Sequence, residues 1–269
     1  MQNRFKNLLV QYGAFAPGHR GKARGLDIAS RLFGTTRTRL ANGIELPLRM
    51  NSSMDLSYVR AAREKPTLVA SLLDQLRPGD CFIDVGANVG YYTVQASKRV
   101  GAEGIVVAIE PSVREFVRLL DSIAWNDCHN VIAVRAALAD RSGVMHLDVE
   151  SAHTGLNHLS ETGSEAVPLF RGDALLTDLI GDRRIFIKID VEGAEPLVME
   201  GMKGVLASPK VQAVVAEMTP TFSKAMGLNV DDAYALMRRL NYAVRGTESS
   251  GAGMDTWFER ATEQSTSGE

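Results

Sequence analysis

The chain has 269 residues, 45% of them hydrophobic and 23% charged, with a formal net charge of −2. That length can bury a full core, and that balance excludes disordered, collagen-like and disulfide-dense classes. No apolar run reaches the roughly 18–20 residues that a membrane-spanning helix needs. Cys81 and Cys128 stand far apart without metal-ligand spacing, as buried thiols of a reducing compartment do.

Charge is unevenly spread. Residues 1–50 carry nine Lys/Arg against Asp27 and Glu45, a net of +7, which leaves −9 on the remainder. A basic arm of this kind suits a membrane surface or a partner enzyme, and an Arg-rich, acid-poor start also fits a transit-type leader. A solvated face is the simplest reading, because the basic residues are dispersed rather than clustered. Arg4 and Lys6 interrupt the first ten residues, so no secretory signal is read and a cytoplasmic location is expected.

In chain order, residues 26–33 have apolar positions at helical spacing. A β-hairpin follows over 38–48, turned by Asn42-Gly43, because Asn-Gly supplies positive φ angles. Helices are expected over 55–62 and 67–76, and Pro78-Gly79-Asp80 closes an accessory region of residues 1–78. From residue 79 strands and helices alternate: strand 81–85, helix 91–100, strand 105–109 and a helix from Ser112 to 123. A third strand is expected over 131–138, then a turn at 140–143 into an inserted hairpin strand, 144–149, and a polar stretch over 150–165. A helix at 174–179, strand 185–189, helix 193–202, strand 211–215, helix 230–240 and strands 242–245 and 256–259 complete the domain at residue 260. Residues 261–269 read as a frayed tail. Alternating βα units predict an α/β fold, a mostly parallel sheet with helices on both faces.

Ligands of such sheets sit beyond the carboxyl ends of the strands, where the strand order reverses. Gly86 and Gly90 bracket a tight strand-to-helix turn containing Ala87 and Asn88, with Asp84 just before it and Tyr91 just after. Glu110-Pro111 ends the second strand, Ala136 and Ala137 the third, Asp190 the fourth, and Glu217 follows the fifth. A helix N-terminus welcomes a phosphate, but a carboxylate beside it does not. Asp84 and Asp190 suit instead the sulfonium and ammonium groups of S-adenosylmethionine (SAM). Glu110 is placed to accept the ribose hydroxyls, a contact that serves any adenosine ligand.

The segments 82–93, Ile109-Glu110-Pro111 and 134–140, with Lys188-Ile189-Asp190-Val191-Glu192-Gly193-Ala194-Glu195 and Val215-Ala216-Glu217 further on, resemble the FkbM family of SAM-dependent methyltransferases. The resemblance spans residues 79–218. It implies a Rossmann-like class I sheet of seven strands, with SAM held at the Gly86–Gly90 turn, its ribose on Glu110, its adenine by Ala136 and Ala137, and its methionine end at Asp190. It also implies methylation of hydroxyls on saccharides or natural products, and in some members of carboxylates. Residues 152–159 depart from the family pattern on the acceptor side.

Taking the proton of a hydroxyl requires a base; the candidates are Asp190, Glu192, Glu217, His153 and His158. Asp190, Glu192 and Glu217 could alternatively hold Mg²⁺, but their sequence spacing does not demand a metal and none is expected. Trp125, Trp257 and the Tyr91-Tyr92 pair are candidates for stacking on a sugar. The acceptor is expected to be a small molecule or glycan rather than nucleic acid, since the core is acidic. Two alternatives stay open, a NAD- or nucleotide-dependent enzyme and a non-catalytic SAM-binding subunit.

Overall fold

The computed structural model describes residues 2–19, 21–64, 67–148, 158–160, 163–250 and 253–261. The expected tail, the end of the 144–149 strand, most of the polar stretch and His153 lie outside the described residues.

The chain opens with α1 (Gln2–Phe15) and α2 (Lys22–Phe33). They run antiparallel, with Phe5 against Phe33 at one end and Lys22 donating to the Ala16 carbonyl at the other. The hairpin β1 (Thr36–Arg39) and β2 (Glu45–Leu48) follows, with Gly43 at φ 85° in its turn. Ser52 caps α3 (Ser53–Ala61) and Thr67 caps α4 (Leu68–Asp74), each hydroxyl accepting a backbone N–H of the first turn. Next come β3 (Cys81–Val85), α5 (Tyr91–Val100), β4 (Ile105–Ile109), α6 (Val113–Trp125) and β5 (Val131–Val134).

The third predicted strand is two. After β5 the chain leaves the main sheet, and β6 (Ala137–Ala139) joins β7 (Gly143–Asp148), β8 (His158–Ser160) and β9 (Glu165–Arg171) in a four-stranded sheet. Its order is β6-β9-β7-β8, so β7 does not pair with the strand before it; β9 lies between them, parallel to β6 and antiparallel to β7. Pro168 inside β9 removes a ladder donor, which hides this strand from pattern reading.

The chain continues through α7 (Gly172–Ile180), β10 (Ile185–Ile189), α8 (Glu195–Gly201), α9 (Lys203–Ala207), β11 (Val211–Met218), α10 (Pro220–Ala225), α11 (Val230–Arg239), β12 (Tyr242–Ser250) and β13 (Gly253–Arg260). The single helix expected over 193–202 begins later and breaks at Met202. A Cβ on Gly201 would meet the Ala139 carbonyl at 1.8 Å, so α8 abuts β6 there as only glycine allows.

The main sheet has the order β12-β13-β11-β10-β3-β4-β5, with β13 alone running against the other six strands. Its central strands are buried throughout, as expected for parallel strands covered on both faces. The chain winds outward from β3 to β5 and then returns to the other side of β3 with β10. The order therefore reverses between β3 and β10. The accessory elements share one apolar cluster with this domain: Val10, Leu46, Leu48 and Val59 pack with Val89, Tyr91 and Val94 around α5. Arg118 of α6 reinforces the contact, donating Nε to the Pro47 carbonyl at 2.9 Å and pairing with buried Asp55.

Candidate active site

At the reversal point the ends of β3 and β10 touch. A Cβ on Gly86, at φ 78°, would fall 1.8 Å from the Asp190 carbonyl oxygen, so this junction demands glycine twice over. Both turns also hold a non-glycine residue in left-handed backbone, Asn88 at φ 50° and Glu192 at φ 52°. Asn tolerates that region; for Glu it costs about 1–2 kcal/mol.

Beside this junction lies a cavity of about 720 Å³, lined by Gly86, Asn88, Glu110, Pro111, Ala136, Ala137 and Asp190 among others. Seven of the residues expected to hold a cofactor thus meet around one space. Glu110 is 6% exposed and accepts the Asn88 amide at 2.8 Å and the Ser112 amide at 3.0 Å, one on each carboxylate oxygen. Burial nevertheless raises its pKa to about 8, the two amides opposing the shift. Leu147 of the small sheet and Met54 and Tyr58 of α3 complete the wall. No local pattern marks these three, because each reaches the site only through tertiary packing.

Four other expected contacts do not line this cavity. Asp84 is fully buried behind the turn, where its carboxylate accepts from Thr93 Oγ1 at 2.6 Å and pairs with Lys188 Nζ at 3.3 Å. Its charge is therefore met inside the protein rather than offered to a ligand. Gly90 serves packing, since a Cβ there would lie 2.7 Å from Leu119. Ala87 and Tyr91 instead line a second and larger cleft.

That cleft, about 1760 Å³, lies between α3 and α4 on one side and the ends of β10, β11, β12 and β13 on the other. It shares Met54, Tyr58, Asp190 and Glu192 with the smaller cavity. Tyr58 stacks on Tyr91, centroids 5.0 Å apart, and Tyr92 lines the same cleft. The tryptophans do not join them. Trp257 is buried and donates to Glu259, while Trp125 lies under the Arg37 guanidinium.

Lys188 is the residue that sequence reasoning passes over. It is 3% exposed, and its Nζ donates to the Gly86 carbonyl at 2.7 Å and lies 3.3 Å from both Asp84 and Asp190. Opposite charges raise its pKa against the cost of burial. A signal exists: a lysine inside Ile-Phe-Ile-Lys-Ile, a strand otherwise wholly apolar, must find a buried partner. The register supplies it, with Lys188 directly opposite Asp84 on β3.

Glu217 of β11 faces Asp255 of β13, which faces Glu248 of β12, three carboxylates in a row across neighbouring strands. Like charges so placed repel. Carboxylate oxygens of Asp190, Glu192 and Glu217 also come within 4.8 Å of one another, close enough to share protons or to bind one divalent cation. Burial first, and then the Asp190 charge, raises Glu217 to about 10, Glu192 to about 8 and Asp255 to about 6. Ser250 Oγ donates to Glu217 at 2.7 Å. Glu195 plays a structural part. Fully buried, it accepts the Gly193 amide and the Thr219 and Ser223 hydroxyls, tying this turn to α10.

His158 opens β8, in register with Asp148 at the outer edge of the small sheet. Among the described residues no helix is long and apolar enough to cross a membrane.

A family model described as "Methyltransferase FkbM domain" matches residues 84–244. The hexuronic acid methyltransferase AglP of Haloferax volcanii is 27% identical over 178 residues, which cover 66% of this chain and 72% of that protein. Among solved structures, Trm5b from Pyrococcus abyssi aligns with a TM-score of 0.48 and 13% identity, covering 84% of this chain and 55% of that one. A precorrin-6y C5,15-methyltransferase from Geobacter metallireducens aligns at 0.44 and 13%, covering 72% and 88%.

Proposed function

Because the chain belongs to the FkbM methyltransferase family, we propose that it methylates a hydroxyl group of a saccharide or similar polyol, with donor and acceptor meeting at Asp190. The donor is S-adenosylmethionine, which supplies an activated methyl group when bound. The observation that carries the reading is the shared wall: Asp190 and Glu192 line both the smaller cavity and the larger cleft. In this reading the smaller cavity takes the donor. Glu110 receives the ribose hydroxyls, Ile109, Ala136, Leu138 and Leu147 supply apolar contact for the base, and Asn88 sits in the turn beside them.

The cleft takes the acceptor. Its rim holds six carboxyl groups against Arg60 and Lys188; Glu192 and Glu217 keep their protons at neutral pH and Asp190 engages Lys188, which leaves Glu64, Glu248 and Asp255 against Arg60. An incoming carboxylate would meet like charge there, which favours a hydroxyl as the methylated group. AglP carries hexuronic acid in its name, and a sugar ring is the acceptor class adopted here by analogy. Asp190 is the base of this reading. Lys188 holds it, and Glu217 hydrogen-bonds it while keeping its own proton at neutral pH. A group that retains its proton cannot take another, so Glu217 drops from the candidate bases to a donor that positions Asp190. The side-chain surroundings of His153 and His158 fall outside the described residues.

Parallel calorimetric titrations with SAM, S-adenosylhomocysteine and NAD test the donor site. Micromolar affinity for the first two, about 8 kcal/mol, with none for NAD is expected. Binding of NAD alone would overturn the reading. Release of S-adenosylhomocysteine in the presence of hexoses or hexuronic acids, with the methyl group located by mass spectrometry, then separates ether from ester products.

A further inference from the structure

The first two helices carry an apolar surface that their packing does not explain. On α1, Val10, Gly13 and Ala14 face inward, with Gly13 close enough to α3 that a Cβ would lie 3.2 Å from Leu56. Phe5, Leu8, Tyr12 and Phe15 face outward, 40% to 66% exposed. Their 3-4-3 spacing gathers them within about 80° of one another on a 3.6-residue helix. The antiparallel neighbour α2 repeats the arrangement: Leu26, Ala29 and Ser30 are buried, whereas Ile28 and Leu32 are 50% and 73% exposed. Six large apolar side chains on two adjoining helices exceed the scattered exposure normal for a soluble surface.

Cations accompany them. Lys6 lies over the Phe33 ring at 5.4 Å, Lys22 over Tyr12 at 5.8 Å and Arg63 over Phe15 at 4.7 Å, while Arg24 and Arg31 are exposed on α2. Asp27 is the one acid in the first 44 residues. Aromatic and aliphatic side chains flanked by Lys and Arg form the pattern of a helix that lies in the interface of a bilayer bearing negative lipid. We infer that the outer face of α1 and α2 docks this protein on an anionic membrane surface. A second copy of the chain fits less well, because a two-fold contact through this face would set α1 and α2, which together carry five Lys/Arg against Asp27 (+4), on the same charge of the other copy. The face is one helix layer from the large cleft: α1 packs on α3, and α3 presents Met54, Ser57 and Tyr58 to the cleft. Docking would therefore hold the cleft near the membrane without covering it.

The test is co-sedimentation of the full chain with phosphatidylcholine vesicles, with and without roughly one third phosphatidylglycerol. At least about tenfold stronger binding to the anionic vesicles is expected. Salt raised to about 1 M, where the screening length falls to about 3 Å, should release it. Leu8→Glu with Leu32→Glu should reduce binding to the level of neutral vesicles at an unchanged melting temperature. Arg24→Glu alone, at an exposed position, should weaken binding severalfold and serves if the double variant misfolds. Equal binding to both vesicle types, or none, overturns the inference. So does a concentration-dependent dimer in vesicle-free buffer that Leu8→Glu dissolves, which would assign the face to a second copy.

Discussion

The two sides of the strand-end rim meet the same problem, buried negative charge, in different ways. Between β3 and β10, Asp84 and Asp190 are compensated by Lys188, a buried cation in direct register. Across β11, β13 and β12, the carboxylates of Glu217, Asp255 and Glu248 have no cation opposite among the described residues, and Glu217 and Asp255 keep their protons to higher pH. Glu110 offers a third solution, two backbone amides. Compensation by a fixed cation ties the two strand ends together, whereas compensation by protons leaves a rim that responds to pH and to whatever binds it.

The largest effect should come from removing the cation. Lys188→Met leaves Asp84 buried and unpaired, and should destabilise the fold by about 3–5 kcal/mol in urea unfolding. Adding Asp84→Asn should recover a large part of that loss, because the uncompensated charge goes with it. Two losses that simply add would mean that Lys188 and Asp84 act independently.

Asp190→Asn keeps the shape of the junction and removes the proposed base. Turnover should fall about 100-fold or more, the usual contribution of general-base catalysis, while SAM affinity stays within about threefold. A loss confined to SAM affinity would instead make Asp190 a cofactor ligand. Glu110→Gln should act on the other cavity only, weakening SAM about tenfold, or 1.4 kcal/mol. Calorimetry reads it directly, and unchanged affinity would remove Glu110 from the donor site.

Much of this rim is legible in the chain before it folds. The strands Cys81–Val85, Ile105–Ile109 and Ile185–Ile189 are short apolar runs stopped by turn residues, and their ends carry the acids. What fails depends on distance. Asp84 reads as a ligand contact because its sequence neighbours are a glycine turn, yet Lys188, 104 positions later, claims it. The strands β6 to β9 form a separate sheet whose order follows from no local signal. α1 escapes pattern reading altogether, since its two opposed apolar faces blur the single-face period by which an amphipathic helix is recognised. The accessory region reads as an appendage, yet Met54 and Tyr58 from it line both cavities.

The smallest predicted effect separates protons from cations on the β11 side. An acid whose pKa is higher in the folded state than in the unfolded chain binds more protons when folded, so stability falls as pH rises. For Glu217 that fall begins near its ordinary value of 4.5 and continues towards about 10; for Glu192 it ends near 8. Between pH 5 and 8 the protein should therefore lose stability steadily. Glu217→Gln, which keeps a donor towards Asp190 and cannot ionise, should flatten that slope and stabilise the fold at pH 8 by roughly 1–2 kcal/mol. Its turnover should stay within about threefold of the parent, whereas a base at this position would cost about 100-fold. If instead millimolar Mg²⁺ raises the melting temperature of the parent at pH 8 but not that of Glu217→Gln, a divalent cation rather than a proton balances these carboxylates, and the two sides of the rim would differ only in which cation they use.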